Sequence, residues 1–188
     1  MPNLIFIRHA ETKRVPGVNA HDWQLTEAAR ERCLILAERL SAFDLRAIIS
    51  SPEPKAIQTA QPIADRYNID LTTLDGLREH DRRNTQYVGD DADFKSTIRR
   101  LFEQPSELIY GNETADQAHD RFAAAVQHAI AQHPDQDIAL VTHATVLTLF
   151  ISRLAKRDPF AFWSTLGMPA YIVVDLPSWE IREIVATL

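Results

Sequence analysis

Short apolar runs alternate with segments of helical periodicity along most of this chain, and this alternation restricts the fold more than any other feature. Apolar runs predict strands at residues 4–7, 47–49, 69–74, 138–141, 171–176 and 181–185. Helical periodicity predicts helices over residues 28–40, 54–67, 94–102, 116–133 and 146–155. Strands that alternate with helices favour an α/β fold, here a three-layer α/β/α sandwich with a mostly parallel central sheet.

Length and composition indicate one domain over residues 1–188 and a soluble cytoplasmic protein. Hydrophobic residues make up 45% of the 188 positions, which is enough for a sizeable core, and the net charge is −6. An acidic surface does not attract nucleic acid, and no segment has the length of a signal sequence or a membrane span. Cys33 is the only cysteine, so neither an intrachain disulfide nor a thiolate metal site is possible.

The first apolar run ends directly at Arg8 and His9. The carboxyl ends of strands are where α/β sheets open their ligand crevices. Arginine binds phosphate oxygens through two parallel hydrogen bonds, and histidine can act as a nucleophile. The pair therefore suggests phosphoryl transfer through a phosphohistidine.

Two other strand ends carry polar residues of the same kind. Right-handed crossovers place the ends of the first, second and fourth predicted strands on one edge of the sheet. We expect that edge to bring Arg8 and His9 close to Lys55, in the turn after the second strand, and to His143, after the fourth. Glu79 lies in a long polar segment, residues 75–93, which is typical of a functional loop.

Five segments resemble, in order, the motifs of the histidine phosphatase superfamily, which is also called phosphoglycerate mutase-like. They are residues 8–12, 25–29, 50–60, 77–79 and 141–144, and they extend over nearly the whole chain. The resemblance implies the phosphoglycerate mutase-like fold and the phosphatase branch of the family.

The resemblance also implies a role for each matched residue. His9 is the nucleophile that accepts the phosphoryl group, and Arg8 and His143 hold the phosphoryl oxygens. Lys55 takes the place where the family usually has a second arginine, and Glu79 is the proton donor to the leaving oxygen. These roles suit the chemistry, because phosphoryl transfer depends on positioning and on several cations around one phosphate.

This chain departs from the family pattern at three kinds of position. Lys55 keeps the charge of arginine but loses its planar, two-pronged geometry. Ala10 and Ala144 stand where glycine is common, and a methyl group fits there only if φ is negative. Val15 occupies the position where the mutases carry asparagine, which favours a phosphatase over a mutase.

Several assignments stay open at this point. His80 or Asp81 could donate the proton instead of Glu79. Arg82 and Arg83 could bind a second anionic group of a substrate or lie exposed in solvent. His21 is expected on the surface. The three tryptophans could contribute walls of the site, but packing in the core or at the surface is the favoured interpretation.

A metal site is disfavoured although several side chains are possible ligands. His9, His143, Glu79, His80 and Asp81 are all of ligand types. The neighbouring Arg8 and Lys55 would repel a cation, and no glycine-rich loop for a dinucleotide follows the first strand. We therefore expect no metal and no cofactor.

The sequence thus predicts a metal-independent phosphomonoester phosphatase that acts through phosphorylated His9. Its expected partner is a phosphorylated small molecule or phosphoprotein substrate, with no nucleic acid and no membrane, and the sequence does not indicate an oligomeric state. Two alternatives are a non-catalytic or weakly catalytic module that binds phosphorylated ligands, and a phosphomutase.

Overall fold

A computed structural model describes residues 2–85 and 91–188. Six strands form one sheet: β1 (Asn3–Arg8), β2 (Leu45–Ser50), β3 (Leu71–Thr73), β4 (Asp137–Thr142), β5 (Ala170–Asp175) and β6 (Glu180–Val185). The helices are α1 (Glu27–Leu40), α2 (Pro54–Tyr67), α3 (Asp91–Glu103), α4 (Ala115–Gln132), α5 (Ala144–Ala155) and α6 (Pro159–Thr165). Short 3₁₀ turns lie at Ala20–Asp22 and Asp75–Leu77.

The sheet has the order β3-β2-β4-β1-β5-β6. β3, β2, β4 and β1 are parallel, whereas β5 and β6 are antiparallel to their neighbours. The prediction of a mostly parallel central sheet is therefore confirmed. β1 and β4 occupy the middle, where neighbours on both sides hydrogen-bond them.

Helices cover both faces of the sheet, as a three-layer sandwich requires. On β1, Leu4 and Phe6 face one core, to which α3, α4, α5 and α6 contribute. Ile5 and Ile7 face the other core, together with apolar residues of α1 and α2. This alternation along one strand follows from the two-residue period of β-structure.

Local signals explain most helix limits. Thr26 caps α1, since its side chain accepts a hydrogen bond from the amide of Ala29 at 3.1 Å, and Pro54 starts α2. Helix α6 was not predicted, and α3 begins at Asp91, within the segment expected to be a loop. The rest of that expectation lies partly outside the described residues, at 86–90.

No helix in the described part of the chain is both long and apolar enough to cross a bilayer.

Candidate active site

Three adjacent parallel strands end side by side and carry the predicted site residues. Arg8 pairs with Thr142 in the β1–β4 register, and Ser50 pairs with Val141 in the β2–β4 register. The ladders continue beyond the strands, because the amide of His9 donates to the Thr142 carbonyl at 3.0 Å. The sheet edge therefore places His9 and His143, which follow β1 and β4, next to each other.

The two histidine rings lie close together in a buried position. Their centroids are 5.1 Å apart, and the His9 side chain has little exposure. His9 Nδ1 is 2.7 Å from the carbonyl oxygen of Ala10. A carbonyl oxygen only accepts, so Nδ1 carries the proton and Nε2 keeps its lone pair. Burial lowers the pKa of His9 well below its usual value, and the nearby His143, Lys55 and Arg8 lower it further, since a proton on His9 would face cationic or cation-forming groups.

The alanines that replace glycine are accommodated by the backbone. Neither Ala10 nor Ala144 belongs to the described residues with positive φ, so the condition set by the sequence is met. Ala10 is buried in a small cluster with Leu25, Ala29 and Cys33. Its amide donates to Thr59 Oγ1 at 3.0 Å, which ties the segment after β1 to α2.

His143 is fully buried at the start of α5. Its Nε2 lies 2.7 Å from Ser51 Oγ, and its Nδ1 has no hydrogen-bond partner among the described residues. Burial lowers the pKa of His143 to about 4, against the opposing influence of Glu53. The ring is therefore neutral in the free protein, with one nitrogen available to a ligand.

A cavity opens at this edge of the sheet, and both Arg8, at the end of β1, and His9 line it. Its NH1 donates to the carbonyl of Leu166, while its Nε is buried without a partner among the described residues. Burial lowers the pKa of Arg8 to about 10, which still leaves the guanidinium charged at neutral pH. Arg8 is thus a partly buried cation whose guanidinium is held at one end by a backbone carbonyl.

Lys55 lies in the first turn of α2 and forms a buried ion pair with Glu53, which the sequence analysis did not single out. Lys55 Nζ donates to Glu53 Oε2 and to the Ala20 carbonyl, the latter at 2.7 Å. Glu53 Oε1 also accepts from the Glu79 amide at 2.8 Å. A lysine next to a phosphate site, with a glutamate two positions before it, is the signal that could have indicated this pair.

Glu53 also contacts two histidines. Its Oε1 lies 3.4 Å from His143 Nε2 and 3.6 Å from His21 Nδ1. Burial alone would raise the pKa of Glu53, but His143, His21 and Lys55 outweigh it and hold that pKa far below the usual range. His21 keeps the surface position expected of it, with 31% of its side chain exposed, and also borders the site beside Glu53.

The Glu79 carboxylate lies at the N-terminus of α5. It accepts hydrogen bonds from the amides of Thr145 and Val146, both at 3.2 Å, and of His80 at 2.9 Å. Burial raises the pKa of Glu79, yet His143, Arg82 and the His80 amide together lower it by more. The carboxyl is therefore ionised in the free protein at neutral pH.

The two alternative proton donors are held elsewhere. His80 Nε2 lies 2.7 Å from the Glu113 carbonyl oxygen, and Asp81 accepts two hydrogen bonds from the Arg83 guanidinium, at 2.7 and 3.0 Å. Of the three candidates, the structure places only Glu79 in the wall of the cavity that contains Arg8 and His9.

The two loop arginines differ in their position relative to this cavity. Arg82 lines it, whereas Arg83 is exposed and paired with Asp81. The cavity has a volume of about 340 Å³, which lies within the roughly 300–1,000 Å³ typical of small-molecule sites. Trp23 and Trp163 line it too, so of the two roles considered for the tryptophans these two combine packing with a place in the cavity wall.

Among the described residues, no three His, Cys, Asp or Glu side chains are grouped closely enough to hold a metal ion. The cavity wall instead contains several cations, the neutral His9 and three carboxyl groups, those of Glu11, Glu79 and Asp93. The neutral ring of His143 lies next to His9. This arrangement suits the binding of a phosphoryl group.

Comparison with known proteins identifies the family. The model of the "Histidine phosphatase superfamily (branch 1)" matches residues 4–176. The chain belongs to the histidine phosphatase superfamily. Its resemblance to that family, inferred above from five motifs, is therefore confirmed.

Curated relatives match this chain over most of its length. Phosphoserine phosphatase 1 of Hydrogenobacter thermophilus is 26% identical over 171 residues, which cover 87% of this chain and 81% of the relative. A probable phosphoglycerate mutase of Cronobacter sakazakii is 25% identical over 182 residues, 91% of this chain and 78% of the relative. Hydrolysis of phosphomonoesters through a phosphohistidine, as predicted, is confirmed as the activity of this family.

A solved structure confirms the fold. Native mycobacterial glucosyl-3-phosphoglycerate phosphatase superimposes with a TM-score of 0.79, although the sequences are 19% identical. The match covers 100% of this chain and 99% of the other. The predicted phosphoglycerate mutase-like α/β architecture is therefore correct.

Proposed function

We propose that this histidine phosphatase hydrolyses phosphomonoesters of small metabolites through a phosphorylated His9. The observation that carries the proposal is the state of His9: its Nδ1 proton is held by the Ala10 carbonyl, so Nε2 is an unprotonated nucleophile. Arg8, Lys55 and His143 surround that position. A cavity of about 340 Å³ suits a metabolite better than a folded phosphoprotein.

In the first step, His9 Nε2 attacks phosphorus and the bond from phosphorus to the leaving oxygen breaks. Arg8 and the Nδ1 of His143 contact the phosphoryl oxygens. A lysine ammonium has three N–H donors, and two of those of Lys55 are used by Glu53 and Ala20. The third N–H is assigned to a phosphoryl oxygen.

Glu79 gives its proton to the leaving oxygen in that step. The carboxyl is ionised in the free protein, so substrate has to change its pKa. A phosphate dianion placed within a few ångströms raises the pKa of a carboxyl, because like charges disfavour the ionised form. Glu79 therefore takes up a proton as the substrate binds and passes it to the alcohol that leaves.

In the second step, water attacks the phosphorus of phospho-His9. Glu79, now a carboxylate, accepts a proton from the water, and the bond from phosphorus to Nε2 breaks. Inorganic phosphate leaves, and His9 returns to its neutral state. No group outside the protein and water is needed to balance this cycle.

A phosphomutase is the second candidate, and the similarity to a probable phosphoglycerate mutase favours it. A mutase returns the phosphoryl group to a second position of the same molecule, whereas a phosphatase releases inorganic phosphate without a phosphorylated primer.

The decisive experiment measures hydrolysis of p-nitrophenyl phosphate in the presence of EDTA. Wild type should release phosphate, and His9→Ala should have no activity while it remains folded. His128→Ala, which changes an exposed histidine of α4, is the matched control and should keep full activity. Activity that survives in His9→Ala would disprove the phospho-His9 mechanism. Wild-type activity that depends on a phosphorylated primer would favour the mutase.

The same assay then compares the substrates named for relatives, phosphoserine and glucosyl-3-phosphoglycerate, with other phosphomonoesters.

A further inference from the structure

One end of the cavity is aromatic, and the phosphoryl chemistry makes no use of it. Phe94 of α3, Tyr110 before α4 and Trp163 of α6 line the cavity together with Arg8 and His9. A phosphoryl group needs cations and hydrogen-bond donors rather than apolar walls. The aromatic residues are therefore available to the part of the substrate that leaves.

This aromatic wall is packed from behind, so it is already formed in the free protein. The rings of Phe94 and Trp163 meet edge to face at a centroid distance of 6.2 Å. Phe160 stacks on Trp163 at 6.0 Å, and the Arg99 guanidinium lies 3.7 Å from the Phe160 ring centroid. A preformed apolar wall binds a ligand without the entropic cost of ordering it.

A flat cation completes the wall. The guanidinium carbon of Arg82 lies 4.8 Å from the centroid of Phe94, and Arg82 also lines the cavity. Guanidinium groups stack on aromatic faces. Arg82 and Phe94 thus present planar groups to a ligand that enters beside them.

Trp163 also has an unused hydrogen-bond donor. Its Nε1 is buried and has no acceptor among the described residues. An indole N–H is a donor only, and buried donors are nearly always paired. A ligand with an acceptor on or beside its ring would satisfy it.

The charges of the cavity argue against a second anionic group as the main recognition element. Arg14 and Arg82 are cationic, but the carboxyl groups of Glu11 and Asp93 line the same cavity. A second carboxylate or phosphate would meet both signs of charge. An apolar, planar group gains from the aromatic wall and loses nothing to these charges.

We propose that the leaving group of the substrate carries a planar aromatic or heteroaromatic ring that binds against Phe94, Trp163 and Arg82. That the ligand is a substrate rests on the proposed phosphatase function. Its physical content, selective binding of a ring next to a phosphate, holds whether or not turnover follows.

Phosphonates test that content because they cannot be hydrolysed. Calorimetry compares 3-phenylpropylphosphonate, 3-cyclohexylpropylphosphonate and butylphosphonate, which share one phosphonate headgroup and differ in the hydrocarbon attached to it. The phenyl compound should bind at least about tenfold more tightly than the butyl compound, from burial of its ring. It should bind roughly two- to tenfold more tightly than the cyclohexyl compound, from aromatic contacts.

Two variants locate the ring. Phe94→Leu and Trp163→Leu should each lower the affinity for the phenyl compound by about fivefold or more, which is the size of a lost aromatic contact. Neither variant should change the affinity for butylphosphonate. Unchanged butylphosphonate affinity also shows that the variants are folded. Phe43→Leu, which shortens a half-buried aromatic side chain in the other core, is the matched control and should alter neither affinity.

Equal affinities for the three phosphonates would overturn the inference, and so would phenyl selectivity that survives in both variants. Hydrolysis of 2-phenylethyl phosphate and propyl phosphate is measured separately. If neither ester is hydrolysed while the phenyl phosphonate is selected, the proposed phosphatase function fails and the aromatic site stands. If both esters are hydrolysed equally well and the phosphonates are not distinguished, the phosphatase stands and the aromatic site fails.

Discussion

Replacement of Glu53 by glutamine tests the balance of charge in the phosphate site. Glu53 and Lys55 are 2% and 5% exposed, so each charge depends on the other for stabilisation. Loss of one partner of a buried ion pair costs about 3–5 kcal/mol. Glutamine keeps a carbonyl that can still accept a hydrogen bond from Lys55. We therefore expect a loss in the free energy of unfolding at the lower end of this range, about 3 kcal/mol.

The stability loss is measured by thermal unfolding at pH 7. For a chain of this size, 1 kcal/mol corresponds to roughly 2–4 °C, so Glu53→Gln should lower Tm by about 6–12 °C. The pKa of Glu53 is depressed in the folded protein, so its contribution is present above its unfolded pKa of about 4.3 and is lost as the pH falls. The difference in Tm between wild type and variant should therefore shrink below about pH 4.

Phosphate should bind more tightly to Glu53→Gln than to wild type. Two unit charges about 4 Å apart attract by about 4 kcal/mol at an effective dielectric constant of about 20. In wild type, Glu53 already supplies an anion to Lys55, whereas in the variant bound phosphate takes that place. Even a third of this attraction corresponds to a Kd for phosphate about tenfold lower in Glu53→Gln.

Glu113→Gln is the matched control, because it removes the carboxylate of another buried ion pair, with Arg121, outside the cavity wall. It should lower Tm and leave the Kd for phosphate unchanged. A Tm of Glu53→Gln within about 2 °C of wild type, or equal phosphate affinities, would refute the reasoning.

Three further predictions concern the chemistry. Glu79→Gln should slow hydrolysis of an alkyl phosphate at least about a hundredfold and affect an aryl phosphate much less, because a phenolate leaves without a proton; equal losses on both esters would exclude Glu79 as the acid. Lys55→Arg should lower the inhibition constants of phosphate and vanadate by adding a second N–H contact, and unchanged constants would remove Lys55 from the phosphate. Burial lowers the pKa of His9 well below 6.5, so kcat/KM, corrected for the ionisation of substrate, should not fall between pH 7 and 6; a fall with a midpoint near 6.5 would show that His9 titrates normally.

The strand ends and the residues directly after them could be predicted because both depend on local patterns. A short apolar run followed by a polar residue fixes where β1, β2 and β4 end, and the crossover rule brings those ends together. His9, His143 and Lys55 were therefore placed correctly relative to one another, with 5.1 Å between the two histidine rings.

Two parts of the site depend on burial or on an element too short to show a period. Glu53 is an ordinary acidic residue in the sequence, and only the packing of α2 against the sheet edge shows that it is buried. Helix α6 has seven residues and no apolar period, although Asp158 caps it and Pro159 begins it. Without α6, Trp163 could not be assigned to the cavity.

The position of β1 in the sheet has a consequence for how the protein is made. β1 ends directly before His9, the proposed nucleophile, and pairs with β4 and β5; the hydrogen bond between Asn3 and Asp137 already joins residues 134 positions apart. On the ribosome, β2 and β3 can pair soon after synthesis, while β1 has to wait until β4 and β5 have been made. His9 is therefore synthesised well before His143, and a nascent chain cannot assemble the proposed phosphate site until β4 has emerged.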